Sequence, residues 1–156
     1  MLTGCGTSDT NLSVESAQKA SSTSSVSSTF TTENKGTLDG KYDVEIETGI
    51  VQKDLEDKDV IAIKFKFTNN DDKTIQPLVA LSDAAFQNGV ELNKSYMIIE
   101  NDRKLVDNQY KEIKKGGTVE VIQYYILDDA SVPVTFELKP SISFLSNKAE
   151  KIFTIT

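Results

Sequence analysis

Two stretches in which apolar and polar residues alternate constrain the fold of this chain more than any other feature of its sequence. In Tyr42–Ile46 and Ile61–Phe67, every second side chain is large and apolar. This period of two is typical of half-buried strands, because successive side chains of a strand point to opposite faces of the sheet. The second stretch runs into Thr68–Lys73, whose short polar residues favour a turn. We therefore expect antiparallel strands that share one core.

Further short apolar runs extend this pattern, and no long segment has the 3.6-residue period of a helix. The expected fold class is all-β: an immunoglobulin-like antiparallel β-sandwich of about seven strands, preceded by a disordered N-terminal stalk. One run contains Asn88-Gly89, which could instead form a tight hairpin turn and split that strand in two. The remaining candidate strands are Pro77–Leu81, Ala85–Leu92, Thr118–Leu127, Val134–Leu138 and Lys151–Ile155.

The first five residues, MLTGC, resemble the end of a lipoprotein signal peptide. A lipobox consists of an apolar residue, a small or hydroxyl residue, Gly or Ala, and then Cys. The resemblance implies transfer of diacylglyceryl to the Cys5 thiol and cleavage after Gly4. The basic and apolar parts of a signal peptide do not precede this box, so either the start has been trimmed or misplaced, or the chain was produced without its signal peptide. The alternative is a chance cysteine in a disordered tail.

The segment that follows Cys5 is rich in Ser and Thr and poor in apolar residues, so it cannot bury enough surface to fold by itself. As a flexible coil it would reach about 30 Å, and about 100 Å when stretched. A short helix over Val14–Ala20 is an alternative, although its apolar face would be narrow. The expected organisation is a lipobox remnant and lipid anchor at 1–5, a disordered linker at 6–38 and a β-sandwich domain at 39–156.

Charge and composition exclude several classes of function. The formal net charge is -7 and the chain contains no His and a single Cys. Proteins that bind nucleic acids present basic patches, so no nucleic-acid partner is expected. Without His there is no Ser-His-Asp or Cys-His catalytic set and no His-ligated zinc. One Cys also excludes a disulfide within the chain. We expect no enzyme activity and no cofactor.

A second resemblance concerns the domain itself. The segments Val60–Asn70 and Ala80–Leu92 resemble the first half of an uncharacterised domain family found in lipoproteins of Gram-positive bacteria with low GC content. Glu112–Val121, Tyr125–Asp129 and Pro133–Phe136 are similar to its second half. This resemblance implies an immunoglobulin-like sandwich and a secreted or lipid-anchored location. It implies no activity, and no functional residues carry over from it.

Carboxylates in candidate loops offer two alternative kinds of site. Calcium takes six to eight oxygen ligands, and acidic loops could supply them, although none has the spacing of a dedicated calcium loop. A pair of carboxylates could instead act as in glycosidases, whereas no Ser-x-x-Lys occurs in the globular part. Solvated acidic turns explain the same residues more simply, so no metal or catalytic residue is assigned. The clusters are Asp54, Glu56, Asp57 and Asp59; Asp71 and Asp72; and Asp128 and Asp129.

Four tyrosines, Tyr96, Tyr110, Tyr124 and Tyr125, could contribute to a recognition surface. Because the last two are adjacent in a candidate strand, they should point to opposite faces of the sheet. We expect one of them in the core and the other exposed.

The favoured hypothesis is a cell-surface lipoprotein at the extracellular face of the membrane, held there by lipid on Cys5. Its non-catalytic sandwich would bind an extracellular protein, a peptide or a component of the cell wall. The alternatives are a calcium-dependent structural or adhesive domain and a hydrolase that uses a carboxylate pair.

Overall fold

The computed structural model describes residues 34–142 and 147–156, in eight strands and a few short helical turns. The candidate lipidation residue Cys5 and the alternative helix Val14–Ala20 lie outside these residues. Among the described residues, no helix is long and apolar enough to cross a bilayer. The strands are β1 (Lys35–Leu38), β2 (Tyr42–Lys53), β3 (Asp59–Asn69), β4 (Leu81–Gln87), β5 (Val90–Glu91), β6 (Thr118–Ile126), β7 (Val134–Pro140) and β8 (Ala149–Phe153).

The strands form two four-stranded antiparallel sheets. Sheet 1 has the order β1-β2-β3-β6, and sheet 2 has the order β5-β4-β7-β8. The chain crosses from sheet 1 to sheet 2 between β3 and β4, returns between β5 and β6, and crosses again to β7. The expected all-β antiparallel sandwich is therefore confirmed, while its finer description as immunoglobulin-like stays a prediction.

The main core lies between the two sheets and contains the side chains that the alternation predicts. Ile61, Ile63, Phe65 and Phe67 project from one face of β3 and are all buried. The ring of Phe65 lies 6.0 Å from that of Phe136 on β7, so the sheets contact each other through aromatic side chains. Burial of such side chains is the principal stabilising contribution to this fold.

A second, smaller apolar cluster covers the outer face of sheet 1. Val60 and Ala62 point away from the main core and contact a segment that runs across this face. We call this segment, Ile98–Asp107, the cover segment. Its first two residues are followed by a 3₁₀ turn (Glu100–Asp102) and the short helix α2 (Arg103–Asp107). The cluster comprises Val60, Ala62, Ile98, Ile122 and Tyr124, with Ile99, Leu105, Val106 and Ile126 packed against it.

Two expectations from the sequence are wrong, one about where the domain begins and one about the type of an element. Residues 35–38 were placed in the linker, but they form β1 and pair with β2 through their backbone. Only Leu38 of this strand is buried, so its side chains give no alternating signal. The predicted strand Pro77–Leu81 is the helix α1 (Pro77–Ala80), followed directly by β4. Proline suits the first turn of a helix because no intrahelical partner exists for an N–H there.

The alternative reading of Asn88-Gly89 as a hairpin turn is confirmed. Both residues have positive φ angles, 53° and 78°, and they connect β4 to β5. Left-handed backbone at both central positions matches the right-handed twist of a two-residue hairpin.

Candidate functional site

Three exposed apolar residues lie on two segments that meet where β2 turns into β3. The backbone N–H of Leu55, in this turn, donates to the carbonyl of Met97 at 3.2 Å. Leu55, Tyr96 and Met97 are 63%, 76% and 41% exposed, respectively. We call these three residues the tip patch. Large apolar side chains that are grouped and exposed are typical of surfaces that contact a partner.

A buried carboxylate, that of Asp54, fixes the turn that carries Leu55. One oxygen, Oδ1, accepts from the backbone N–H groups of Glu56 and Lys58 at 2.8 and 3.0 Å. The other, Oδ2, accepts from the hydroxyl of Ser95 at 2.7 Å. The same hydroxyl oxygen accepts from the N–H of Met97 at 3.2 Å. Asp54 thus connects the β2–β3 turn directly to the segment that carries Tyr96 and Met97.

The ionisation of Asp54 reflects this environment. Desolvation alone would raise the pKa of its carboxyl group, but the hydrogen bonds from Ser95, Lys58 and Glu56 outweigh it. The pKa is therefore lowered below its usual value, and the charged form is the one that the turn holds. Asp57, near the apex, has a φ of 65°, which Asp tolerates better than most residues.

The segment before the tip patch is fixed to β6 through its backbone. The N–H of Ser95 donates to the carbonyl of Tyr124 at 2.9 Å, and the N–H of Ile126 donates to Asn93 at 2.8 Å. Between these bonds, Lys94 pairs with Tyr125 as an isolated antiparallel bridge. The tip patch is therefore supported on both sides by ordered backbone and requires little further ordering before it can bind.

A buried polar cluster beneath this segment links the two sheets. The Tyr125 hydroxyl on β6 donates to the carboxylate of Asp83 on β4, which also forms an ion pair with Lys94 at 3.0 Å. Burial, followed by the charge and hydrogen bond of Asp83, raises the pKa of Tyr125. Because Lys94 immediately precedes Ser95, this cluster also fixes the start of the tip segment.

The neighbouring tyrosine binds the cover segment. The Tyr124 hydroxyl donates to Asp102 at 2.6 Å and accepts from the Gln52 amide at 2.6 Å. Desolvation and then the hydrogen bond to Asp102 raise the pKa of Tyr124. This contact holds the cover segment against the outer face of sheet 1.

The expectation that one of the two adjacent tyrosines would be exposed is wrong. Tyr124 and Tyr125 do point to opposite faces, but each is only 1% exposed. The reason is the cover segment, which buries the face that would otherwise contact solvent. Tyr96 and Tyr110 are the exposed tyrosines, and of these Tyr96 belongs to the tip patch.

Several side chains of the acidic clusters form ion pairs with lysines. Glu56 pairs with Lys58 and Asp59 with Lys53, each at 3.0 Å, while Asp72 pairs with Lys115 at 2.7 Å. Within residues 34–142 and 147–156, no group of three acidic, His or Cys side chains is placed to hold a metal ion. The calcium alternative gains no support from this arrangement.

A surface pocket beside β8 has a different composition from the tip. Its lining is Asn34, Glu150, Lys151 and Ile152, and its one carboxylate forms an ion pair with Lys148 at 3.3 Å. A single neutralised carboxylate does not provide the acid and base that glycoside hydrolysis requires.

Two of the residues singled out in the sequence, Asp54 and Tyr96, come together in the structure, whereas Leu55 and Met97 were not anticipated. Leu55 is a lone apolar residue in an acidic turn, and Met97 stands at the start of an apolar run that resembles core. Only Leu55 could have indicated this site from the sequence, because a large apolar side chain in a solvated turn gains no stabilisation from burial.

Comparisons with known proteins agree with the fold. A family profile described as a domain of unknown function (DUF5067) matches residues 15–140. A candidate lipoprotein from Staphylococcus aureus subsp. aureus NCTC 8325 has a similar structure, with a TM-score of 0.57 at 19% identity over 78% of this chain and 93% of that one. A protein from Enterococcus faecalis, solved by NMR, gives 0.58 at 18% identity over 79% and 90%. No curated protein matches significantly. At these identities the structural similarity establishes the fold alone.

Proposed function

This chain belongs to the DUF5067 family of domains of unknown function, and we propose that it is a surface lipoprotein whose non-catalytic sandwich binds an extracellular partner through the tip patch. The partner would be a protein, a peptide or a wall component. The observation that carries this proposal is the exposure of Leu55, Tyr96 and Met97 on two segments that buried hydrogen bonds join to each other.

The hydrogen bonds that hold the β2–β3 turn in place lower the cost of binding. Binding costs free energy whenever side chains and loops must be ordered, and a preorganised surface avoids much of this cost. Tyr supplies a large contact area with few rotatable bonds and is enriched among the residues that dominate interfaces. The buried Asp54–Ser95 hydrogen bond holds the segment that carries Tyr96 against the turn that carries Leu55 before any partner binds.

The proposed location rests on two independent features. The sequence MLTGC matches a lipobox up to Cys5, and one structural relative is itself described as a candidate lipoprotein. Two acyl chains on one cysteine would give stable anchoring, since each buried methylene contributes about 0.8 kcal/mol.

Intact mass spectrometry of protein extracted from membranes tests the anchor. The full-length gene with its native upstream region should yield a chain that begins at Cys5 and carries diacylglyceryl. A Cys5→Ser variant should carry no diacylglyceryl and should retain the residues that precede position 5. Recovery of an unmodified chain in the membrane fraction would contradict the proposal.

Binding is tested with secreted proteins and wall fragments from the native host. Wild-type protein on a sensor surface should give saturable binding to one fraction, and Tyr96→Ser with Leu55→Ser should lose it. Tyr110→Ser is the matched control, because Tyr110 is also exposed but lies outside the tip patch. Equal loss in the control variant would show that the tip patch is not the binding surface.

A further inference from the structure

The acidic residues around the tip patch indicate the chemistry of the partner. The stretch Lys53–Asp59, which contains the β2–β3 turn, has four acidic residues and two lysines. Both lysines are engaged, since Lys53 pairs with Asp59 and Lys58 with Glu56. Asp57 remains exposed at the apex of the turn, so the surface beside Leu55 is acidic.

A further exposed carboxylate, Glu91, precedes the segment that carries Tyr96 and Met97. Glu91 on β5 is exposed, and both Glu91 and Tyr96 lie near enough to the Tyr125 hydroxyl to raise its pKa. The neighbouring cation, Lys94, is engaged by Asp83 at 3.0 Å. The segment that carries Tyr96 thus runs from the exposed Glu91 on β5 to the acidic β2–β3 turn, where Leu55 donates to Met97. The lysines near both acidic regions already have partners.

From this juxtaposition we infer that the tip patch binds a basic polypeptide segment, in which Arg or Lys adjoins an apolar side chain. This inference rests on the proposed function and specifies its partner. The apolar side chain would contact Leu55 and Met97, whose flexible thioether adapts to irregular surfaces. A basic side chain would lie over the Tyr96 ring, where a cation is attracted to the π face, and close to Asp57 or Glu91.

Charge argues against two other occupants. A second copy of this chain would bring the same acidic surface and a further net charge of -7, and like charges at an interface are costly. An anionic lipid surface attracts clusters of Lys and Arg, whereas the lysines of the tip are already paired with carboxylates. Of the three occupants, a basic segment is the one that can form favourable contacts with both the apolar side chains and the carboxylates of the tip.

The absence of Trp from the chain provides a direct assay. A short synthetic peptide of Arg and Leu around one Trp can be titrated with the protein, and its fluorescence reports binding without background. Saturable binding that weakens with added salt is expected, because salt screens exposed charges. A matched peptide with Glu in place of Arg should not bind. Equal binding of both peptides would overturn the inference.

Variants locate the site. Tyr96→Ser should weaken peptide binding about tenfold, as loss of a central interface aromatic does. Asp57→Asn should weaken it about twofold to fivefold at low salt only, since a single exposed charge contributes little. Tyr110→Ser and Glu112→Gln are the matched controls, because both residues are exposed and Glu112 adjoins Ile113, which pairs with Ile75 beyond the far end of β3. Unchanged binding by Tyr96→Ser would overturn the assignment.

Three further outcomes distinguish a failure of this inference from a failure of the proposed function. A host partner that is lost in Tyr96→Ser, together with no binding of the basic peptide, would leave the function standing and refute the basic partner. Sedimentation of a dimer that Tyr96→Ser dissociates would assign the patch to a second copy. Binding to anionic vesicles that Tyr96→Ser abolishes would assign it to lipid. Either result would also refute the inference.

Discussion

At the scale of single residues, Asp54 shows how a side chain that resembles one of many surface carboxylates can determine local structure. The nearby carboxylates Glu56 and Asp57 are exposed, yet Asp54 is buried and accepts three hydrogen bonds. Nothing in the spacing of the acidic residues distinguishes it from Asp57 or Asp59. The distinction arises from Ser95, which is 41 residues away in the sequence.

Replacement of Asp54 by Ala should lower the free energy of unfolding by about 2–4 kcal/mol, because three donors lose a charged acceptor. Ser95→Ala, which removes one of these bonds, should cost about 1 kcal/mol. Urea denaturation of both variants measures the difference. Equal stability of Asp54→Ala and wild type would show that the turn does not depend on this carboxylate.

The same residue should produce a pH dependence. Since the folded pKa of Asp54 is lowered, its charge stabilises the fold above the unfolded pKa of about 3.9. That contribution is lost as the pH falls through the folded pKa. The stability difference between wild type and Asp54→Asn should therefore be largest at neutral pH and shrink below about pH 4. Denaturation curves at several pH values check this.

At the scale of elements, β2 and β8 approach each other closely at one position. A Cβ atom on Gly49 would lie 2.8 Å from the ring of Phe153. Gly49→Ala should therefore destabilise the protein by about 1–3 kcal/mol, as overpacking does. Gly36→Ala is the matched control, because nothing lies within 4 Å of its Cβ position. Thermal denaturation measures both variants.

The Gly49 prediction can be separated from a general loss of β propensity. If the clash is the cause, Gly49→Ala should cost much less in a Phe153→Ala background than in wild type. Additive costs in this double-mutant cycle would show that the ring is not responsible.

The cover segment should open more readily when its contact with Tyr124 is weakened. Tyr124→Phe removes the hydroxyl that Asp102 and Gln52 share, at a cost of about 1 kcal/mol. Hydrogen exchange should accelerate at the amide of Asp102, which donates to Ile99 at 3.1 Å, and remain slow in the centre of β3. Tyr110→Phe serves as the control. Uniform acceleration throughout the protein would indicate global destabilisation instead.

The elements that the sequence predicted are those with one buried face. β3, β6 and β7 were located closely, and the predicted stretch Tyr42–Ile46 covers only the start of β2. β1 and α1 were missed because short segments held by backbone contacts or by one proline carry little pattern. The outer cluster was also missed. The sequence feature that indicated this cluster is the continuous apolar run Val60–Ile63, because such a run is typical of a strand buried on both faces of its sheet.

The candidate site was less predictable than the fold, for a physical reason. Tyr96 was one of four tyrosines, and neither its exposure nor its proximity to Leu55 follows from local sequence. The two segments meet because the chain runs along β6 before it reaches Met97. Such a long-range backbone pairing depends on tertiary contacts that no periodicity encodes.

At the scale of the whole molecule, the two buried tyrosines should limit stability at high pH. Burial raises the pKa of both Tyr124 and Tyr125, so the neutral phenols are favoured in the folded state. Their contribution is fully present below the unfolded pKa of about 10 and is lost as the pH rises above it. Unfolding free energies measured from pH 8 upward should therefore fall more steeply in wild type than in the variant with both tyrosines replaced by Phe. Parallel curves would refute this.

The cover segment also has an evolutionary consequence. It lies in the connection between β5 and β6 and adds a local third layer to the sandwich, so that apolar residues are acceptable at Val60, Ala62, Ile122 and Tyr124. In a homologue whose deletion had shortened this connection, selection for solubility should have replaced the same four positions with polar residues. The length of one loop and the polarity of two strands should thus covary across the lineage, which an alignment of related chains can test.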